Sequence, residues 1–162
     1  QAQHLLIADT YTLRGEVQTA ITTFLPAHGS NPYTGATLTF DNLKDLRQAQ
    51  AIQIDHVVAL SEAWVSGAHR WSAELRRSFA NDTRNLLAVD GPTNASKGDD
   101  DPAAWRPKKS YKCAYATRWI AVKHRYELAV DPSEARALEE MLRFSNRWLR
   151  SVVLVRRTLS AD

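Results

Sequence analysis

An aspartate and a histidine stand side by side in the apolar run Ile54-Asp55-His56-Val57-Val58, and Asn85, Asn94 and Lys97 follow. Together they supply a carboxylate, an imidazole, two amides and an ammonium. That set suits hydrolysis of a phosphodiester, which is already anionic and needs a base, charge neutralisation at phosphorus and help for the departing oxygen. His56 is expected to be the general base and Asp55 a metal ligand. Asn94 is expected to add a second oxygen ligand, since Mg²⁺ prefers oxygen donors and keeps several waters; Mn²⁺ or another divalent ion would serve similarly. Lys97, one helical turn after Asn94, is expected to contact a phosphate oxygen.

Neighbouring strand residues point to opposite faces, so Asp55 and His56 can serve one site only if the strand ends or bends there. Asn85 is expected in a supporting role, either fastening the loop or holding His56 in a productive tautomer, with a turn cap after Asp82 as the plainer alternative. An Asn just inside a helix start would also stand beside free backbone amides that favour phosphate. Taken singly, each residue has a bland alternative: a lone His in an apolar strand is more often a core residue, and Lys97 could simply face solvent. The order and setting of the whole set favour the chemical reading.

The elements needed to position this set can be read around it. Residues 51–60 are apolar and β-branched enough for a strand, and Asn85–Val89 forms a second, closed by Asp90-Gly91-Pro92. A helix is expected from Thr93 or Asn94. Between the strands, Ser61 with Glu62 and Ser72 with Glu74 look like helix starts. Upstream, Thr12–Phe24 has helical spacing, Pro26–Gly35 is turn chemistry, and Asp41–Gln50 reads as a short helix. Asp99-Asp100-Asp101-Pro102 should end one helix and start another, and 109–127 and 133–150 are the longest helical patterns. Two antiparallel strands with a helix across them make a ββα unit.

At 162 residues with 44% apolar side chains, the chain is the size of one globular domain. The expected division is 1–50 as an N-terminal helical part, 51–100 as the ββα core and 101–162 as basic C-terminal helices. No apolar run is long enough to cross a bilayer, and the start lacks a signal-peptide layout. A first residue of Gln leaves open a processed form or a piece of a longer protein. Cys113 is the sole cysteine, which excludes an internal disulfide and a multi-cysteine zinc site. It leaves both a cytoplasmic and a secreted or delivered protein open.

The net charge of +3 is unevenly spread: residues 1–102 carry 8 Lys/Arg against 12 Asp/Glu, and residues 103–162 carry 13 against 6. A basic C-terminal third beside an acidic region suits a polyanionic substrate. Arg106, Lys108, Lys109 and Lys112 are the densest basic cluster, followed by Arg118 and Lys123; all six are expected to contact nucleic acid, with solvated helix faces as the alternative. His4, His28, His69 and His124 have no comparable company. Trp64, Trp71, Trp105 and Trp119 are expected in the core.

The residues Asp55-His56, Asn85 and Asn94-Ala-Ser-Lys97 resemble the HNH endonuclease superfamily, also called ββα-metal or His-Me finger nucleases. A closer likeness runs over residues 31–142. The stretches Asp-His-Val-Val-Ala-Leu-Ser-Glu-Ala-Trp64, Phe-Ala-Asn-Asp82, Asn-Leu-Leu-Ala-Val-Asp90, Asn-Ala-Ser-Lys-Gly-Asp99 and Asp-Pro-Ala-Ala-Trp-Arg-Pro107, with Tyr115 and Lys123, are similar to the C-terminal domain of GmrSD-type restriction enzymes. Small secreted proteins with this pattern carry paired cysteines, and this chain departs from them in keeping only Cys113. The resemblance implies DNA hydrolysis at a single divalent ion, leaving 5′-phosphate and 3′-hydroxyl ends.

The expected fold class is therefore α+β, mostly helical, with a ββα-metal core. The expected function is a metal-dependent endonuclease of low sequence specificity acting on DNA, with RNA as a second substrate, no membrane partner, and an immunity protein as partner if the chain is a toxin. A non-catalytic nucleic-acid-binding module with a decayed site ranks second, and an interaction domain third.

Overall fold

The computed structural model describes residues 28–39 and 51–143. The helices expected over 12–24 and 41–50 lie outside the described residues. Within them the fold is mixed α/β, with two antiparallel strand pairs and a set of helices.

Strands β1 (His28–Ser30) and β2 (Thr37–Thr39) form a small hairpin, where the sequence pattern predicts only a turn over Pro26–Gly35. Three-residue strands carry too little alternation to be recognised. The turn itself is as expected: Asn31 Oδ1 accepts from Tyr33 N at 2.8 Å, and Gly35 takes φ +75. The positive φ favours glycine there, and the Lys108 ammonium lies over it, 2.0 Å from where a Cβ would stand.

Strand β3 (Ile52–His56) pairs antiparallel with β4 (Leu86–Asp90), Asp55 opposite Leu87 and His56 opposite Leu86. The excursion between them holds α1 (Leu60–Ser66), a 3-10 turn (Ala68–Arg70) and α2 (Ala73–Ala80). Ser72 caps α2 as its position suggests, its side chain accepting from Leu75 N at 3.2 Å. Ser61 does not cap α1; the cap position is Ala59.

Helix α3 (Gly91–Lys97) follows β4 directly and packs against both β3 and β4. It begins earlier than expected because Asp90 serves as its cap, accepting from Thr93 N and Thr93 Oγ1, each at 2.8 Å. Gly98, at φ +51, ends it.

Pro102 does not open a helix. Asp101 instead accepts from Ala103 N and Ala104 N to close a turn, and the backbone N of Lys108 donates to Tyr33 O at 2.8 Å. Tying 105–108 to the β1–β2 hairpin delays the next helix, α4, to Lys112–Arg125 after a 3-10 turn at Lys109–Tyr111. A further helix, α5, is described over 132–143.

The core lies between these layers, with Val57, Val58, Phe79, Val89, Tyr115, Trp119, Val122 and Met141 buried. Tyr33 joins it, its ring meeting Trp105, Tyr111 and Tyr115 edge-on at 5.0 to 5.9 Å. No helix among the described residues is long and apolar enough to cross a membrane.

Candidate active site

Strand β3 ends at His56, and this ending separates the surroundings of the paired residues. Asp55 turns inward toward α3 and is 4% exposed. His56 turns to the other side, where its Nε2 lies 2.9 Å from the carbonyl of Ala80, the last residue of α2. A carbonyl only accepts, so this contact places the proton on Nε2 and leaves the lone pair on Nδ1. Nδ1 meets no protein donor among the described residues. Burial holds the imidazole below its ordinary value of 6.5, and the charge of Lys97 pushes the same way; the Ala80 contact and Asp55 oppose them. The ring is neutral near pH 7, as a base must be.

The Asp55 carboxylate accepts two strong hydrogen bonds. Lys97 Nζ donates to Oδ1 at 2.9 Å and Tyr33 Oη donates to Oδ2 at 2.5 Å. Lys97 also donates to the carbonyl of His56 at 2.9 Å, and its side chain has no exposure. Lys97 was expected to reach a phosphate; its ammonium is instead enclosed, neutralising Asp55 and tying α3 to the end of β3. The physical reason is the pairing of α3 with β3, which puts a long cationic side chain over the only buried carboxylate on that strand. Burial, with Asp55 second, raises the Tyr33 hydroxyl, which remains a donor throughout the ordinary pH range.

Asn94 is half-buried and sits over Gln53, two residues before Asp55 on the same face of β3; its Nδ2 donates to Gln53 Oε1 at 2.9 Å. That bond orients the amide and leaves Oδ1 without a protein donor among the described residues. Asn94 is the fourth residue of α3, and Asp90 already satisfies the Thr93 amide, so the expected phosphate nest at a helix start does not form there.

Asn85 is wholly buried and works on the loop after His56. Its Oδ1 accepts from Val58 N at 2.8 Å, its Nδ2 donates to Val58 O at 3.1 Å, and its own carbonyl accepts from Val57 N at 2.7 Å. It makes no hydrogen bond to His56; of the two roles expected for it, it fills the first. The tautomer is set by Ala80, a residue whose side chain gave sequence reasoning nothing to find.

Among the described residues no three His, Cys, Asp or Glu side chains cluster around a metal position. The oxygen donors carried by β3 and α3 are of the kind a hard cation takes. Each carboxylate oxygen has two lone-pair directions, so Asp55 keeps one on each oxygen, and Asn94 Oδ1 is free to coordinate. Because Lys97 already offsets the Asp55 charge, such an ion would be bound weakly and would keep several waters.

The residues expected on the nucleic-acid surface separate. Lys123 is buried, donating to Glu62 at 2.7 Å, Glu134 at 2.8 Å, and Ser66 and the Ala129 carbonyl at 2.9 Å, so it joins α1, α4 and α5 rather than meeting a phosphate. Its place on the inner face of α4, opposite two carboxylates, is the reason. Arg118 is half-buried and donates to the carbonyls of Arg84, Thr83 and Leu86, clamping the entry to β4. Arg106 pairs with Glu140 at 2.8 Å. Lys108 and Lys109 are exposed and Lys112 is half-buried. His69 is exposed and lies 3.0 Å from the Trp64 carbonyl, apart from His56.

Residues 18–141 match the family of GmrSD restriction endonucleases, C-terminal domain. The chain belongs to this HNH-type family, and nuclease-type function is what the family suggests. Over 115 residues it is also 46% identical to a protein of the fungus Arthroderma benhamiae named an uncharacterized secreted protein, the match taking in 69% of this chain and 52% of that protein. The chain thus spans about half the length of that relative.

Proposed function

We propose that this domain hydrolyses DNA phosphodiester bonds with His56 as general base, β3, β4 and α3 forming the HNH core. The observation that carries the reading is the imidazole at the end of β3: neutral, held at Nε2 by a backbone carbonyl and with no protein donor on Nδ1 among the described residues. His56 Nδ1 takes a proton from the attacking water, and the fixed ring plane aims that lone pair without reorganisation.

Asp55 and Asn94 would hold a divalent cation, Mg²⁺ or Mn²⁺, which when bound neutralises phosphate charge and assists the departing oxygen. Lys97 holds the Asp55 carboxylate in place, Tyr33 holds its second oxygen, and Asn85 keeps the backbone after His56 from drifting. Exposed Lys108 and Lys109, with Arg106 and Lys112, meet the DNA backbone without reading sequence.

Plasmid nicking tests the proposal. The wild-type protein should nick in Mg²⁺ or Mn²⁺ and stop in EDTA, and His56→Ala should lose roughly 10²- to 10⁴-fold in rate, the usual contribution of a positioned base, with its circular dichroism unchanged. Wild-type nicking by a folded His56→Ala protein overturns it. A second reading, a binding module with an inert site, is favoured by the double engagement of Asp55. DNA binding without metal-dependent nicking would select it.

A further inference from the structure

A cavity of about 580 Å³ opens beside α2, the helix whose last carbonyl meets His56, lined by Arg70, Trp71, Leu75, Ser78, Arg125 and Tyr126 among others. Trp71 and Tyr126 form its aromatic wall, ring centroids 5.6 Å apart, and both rest on Phe79 at 5.4 and 5.0 Å. Tyr126 is fixed further by its hydroxyl, which donates to Asp82 at 3.0 Å. Trp71, expected in the core, is only half-buried. Both arginines are exposed, and Arg125 also borders a second hollow of about 270 Å³ together with Arg84 and Arg118.

Two structural links connect this wall to His56. Helix α2 supplies Leu75 and Ser78 to the cavity and, two residues later, the Ala80 carbonyl to the imidazole. From there residues 81–85 lead past Arg84 to β4, where Leu86 stands opposite His56. Arg70 and Arg125 thus stand at the cavity beside its aromatic wall, Arg125 lying 3.5 Å from Asp82, which Arg84 also pairs with at 2.9 Å.

Building on the nuclease reading above, we propose that this cavity is a subsite for an unpaired nucleotide of the strand whose phosphate lies at His56. Arginines suit the flanking phosphates, and aromatic faces take any base, because every base offers a π-face. A base still stacked and paired within a duplex cannot enter such a cavity. The preferred substrate is therefore single-stranded or locally opened DNA, and the cavity volume lies in the range of small-molecule sites.

The test compares two fluorescein-labelled single strands of equal length and charge, one carrying bases and one wholly abasic, by fluorescence anisotropy in EDTA. The wild-type protein should bind the base-bearing strand about tenfold more tightly, in line with one stacked base. Ser78→Trp, at an exposed position of α2, should fill the cavity and abolish the preference while leaving affinity for the abasic strand unchanged. Leu75→Trp, on the same wall and 40% exposed, gives the same readout if Ser78→Trp does not fold. Equal wild-type affinity for the two strands, or a preference that survives both fillings, overturns the subsite alone. Failure to bind either strand likewise overturns the subsite, while the nuclease reading stands or falls separately on metal-dependent plasmid nicking.

Discussion

Lys97 and Asp55 form a buried ion pair, Nζ to Oδ1 at 2.9 Å, with side-chain exposures of 0% and 5%. It joins α3 to β3 at the residue next to His56. Removing one partner leaves an uncompensated charge in the interior, whereas replacing both by neutral groups of like size removes the desolvation penalty as well. Lys97→Met should therefore lower unfolding free energy by about 3–5 kcal/mol in urea titrations. The double variant Asp55→Asn/Lys97→Met should recover most of that loss. A single variant as stable as wild type would mean that the pair is not closed in solution.

The His56 imidazole should titrate below 6.5 in the metal-free protein, because burial is the largest influence on it. A folded-state value below the unfolded one means that the unfolded chain binds the proton more readily. Stability from this group is then fully present above 6.5 and declines as pH falls through the unfolded value toward the folded one. Ring-proton NMR of the metal-free protein checks this, and a midpoint at or above 6.5 contradicts it.

Two buried tyrosines should respond in opposite ways to loss of their hydroxyls. Tyr33 Oη donates to Asp55, while Tyr115 Oη has no hydrogen-bond partner among the described residues. Tyr33→Phe should cost about 1.5–3 kcal/mol, the range for a bond to a charged group, and Tyr115→Phe should be neutral or slightly stabilising. Thermal melts of the two variants side by side would separate them, and equal losses would argue against the bonding described.

Neutralising Arg106, Lys108, Lys109 and Lys112 together should weaken DNA binding across all sequences and flatten its dependence on salt, since fewer counterions are released. Turnover at saturating DNA should persist. Binding titrations at several salt concentrations decide the matter, and an unchanged slope would make the cluster a solvated face.

Strand β3 falls within the stretch where β-branched residues placed it, β4 lies one residue later than the expected Asn85–Val89, and α2 starts at the serine read as its cap. Local pattern was enough there because each element carries its own periodicity and punctuation. The lysines were different. Lys97 and Lys123 look like any helix-borne lysine in sequence, and their burial depends on carboxylates 42 and 61 residues away. The β1–β2 hairpin escaped notice for want of length. The Ala80 contact escaped because it is made by a main-chain oxygen.

That main-chain oxygen bears on any attempt to transplant the site. Copying Asp55, His56, Asn85, Asn94 and Lys97 onto another scaffold, even with Tyr33 and Gln53 added, would still leave the imidazole free to rotate and change tautomer. The recipient would also need a helix that stops where α2 stops, with its last carbonyl 2.9 Å from the ring. Conversely, any side chain compatible with the packing at position 80 would preserve the contact, so the imidazole is held by the length of a helix rather than by a residue type.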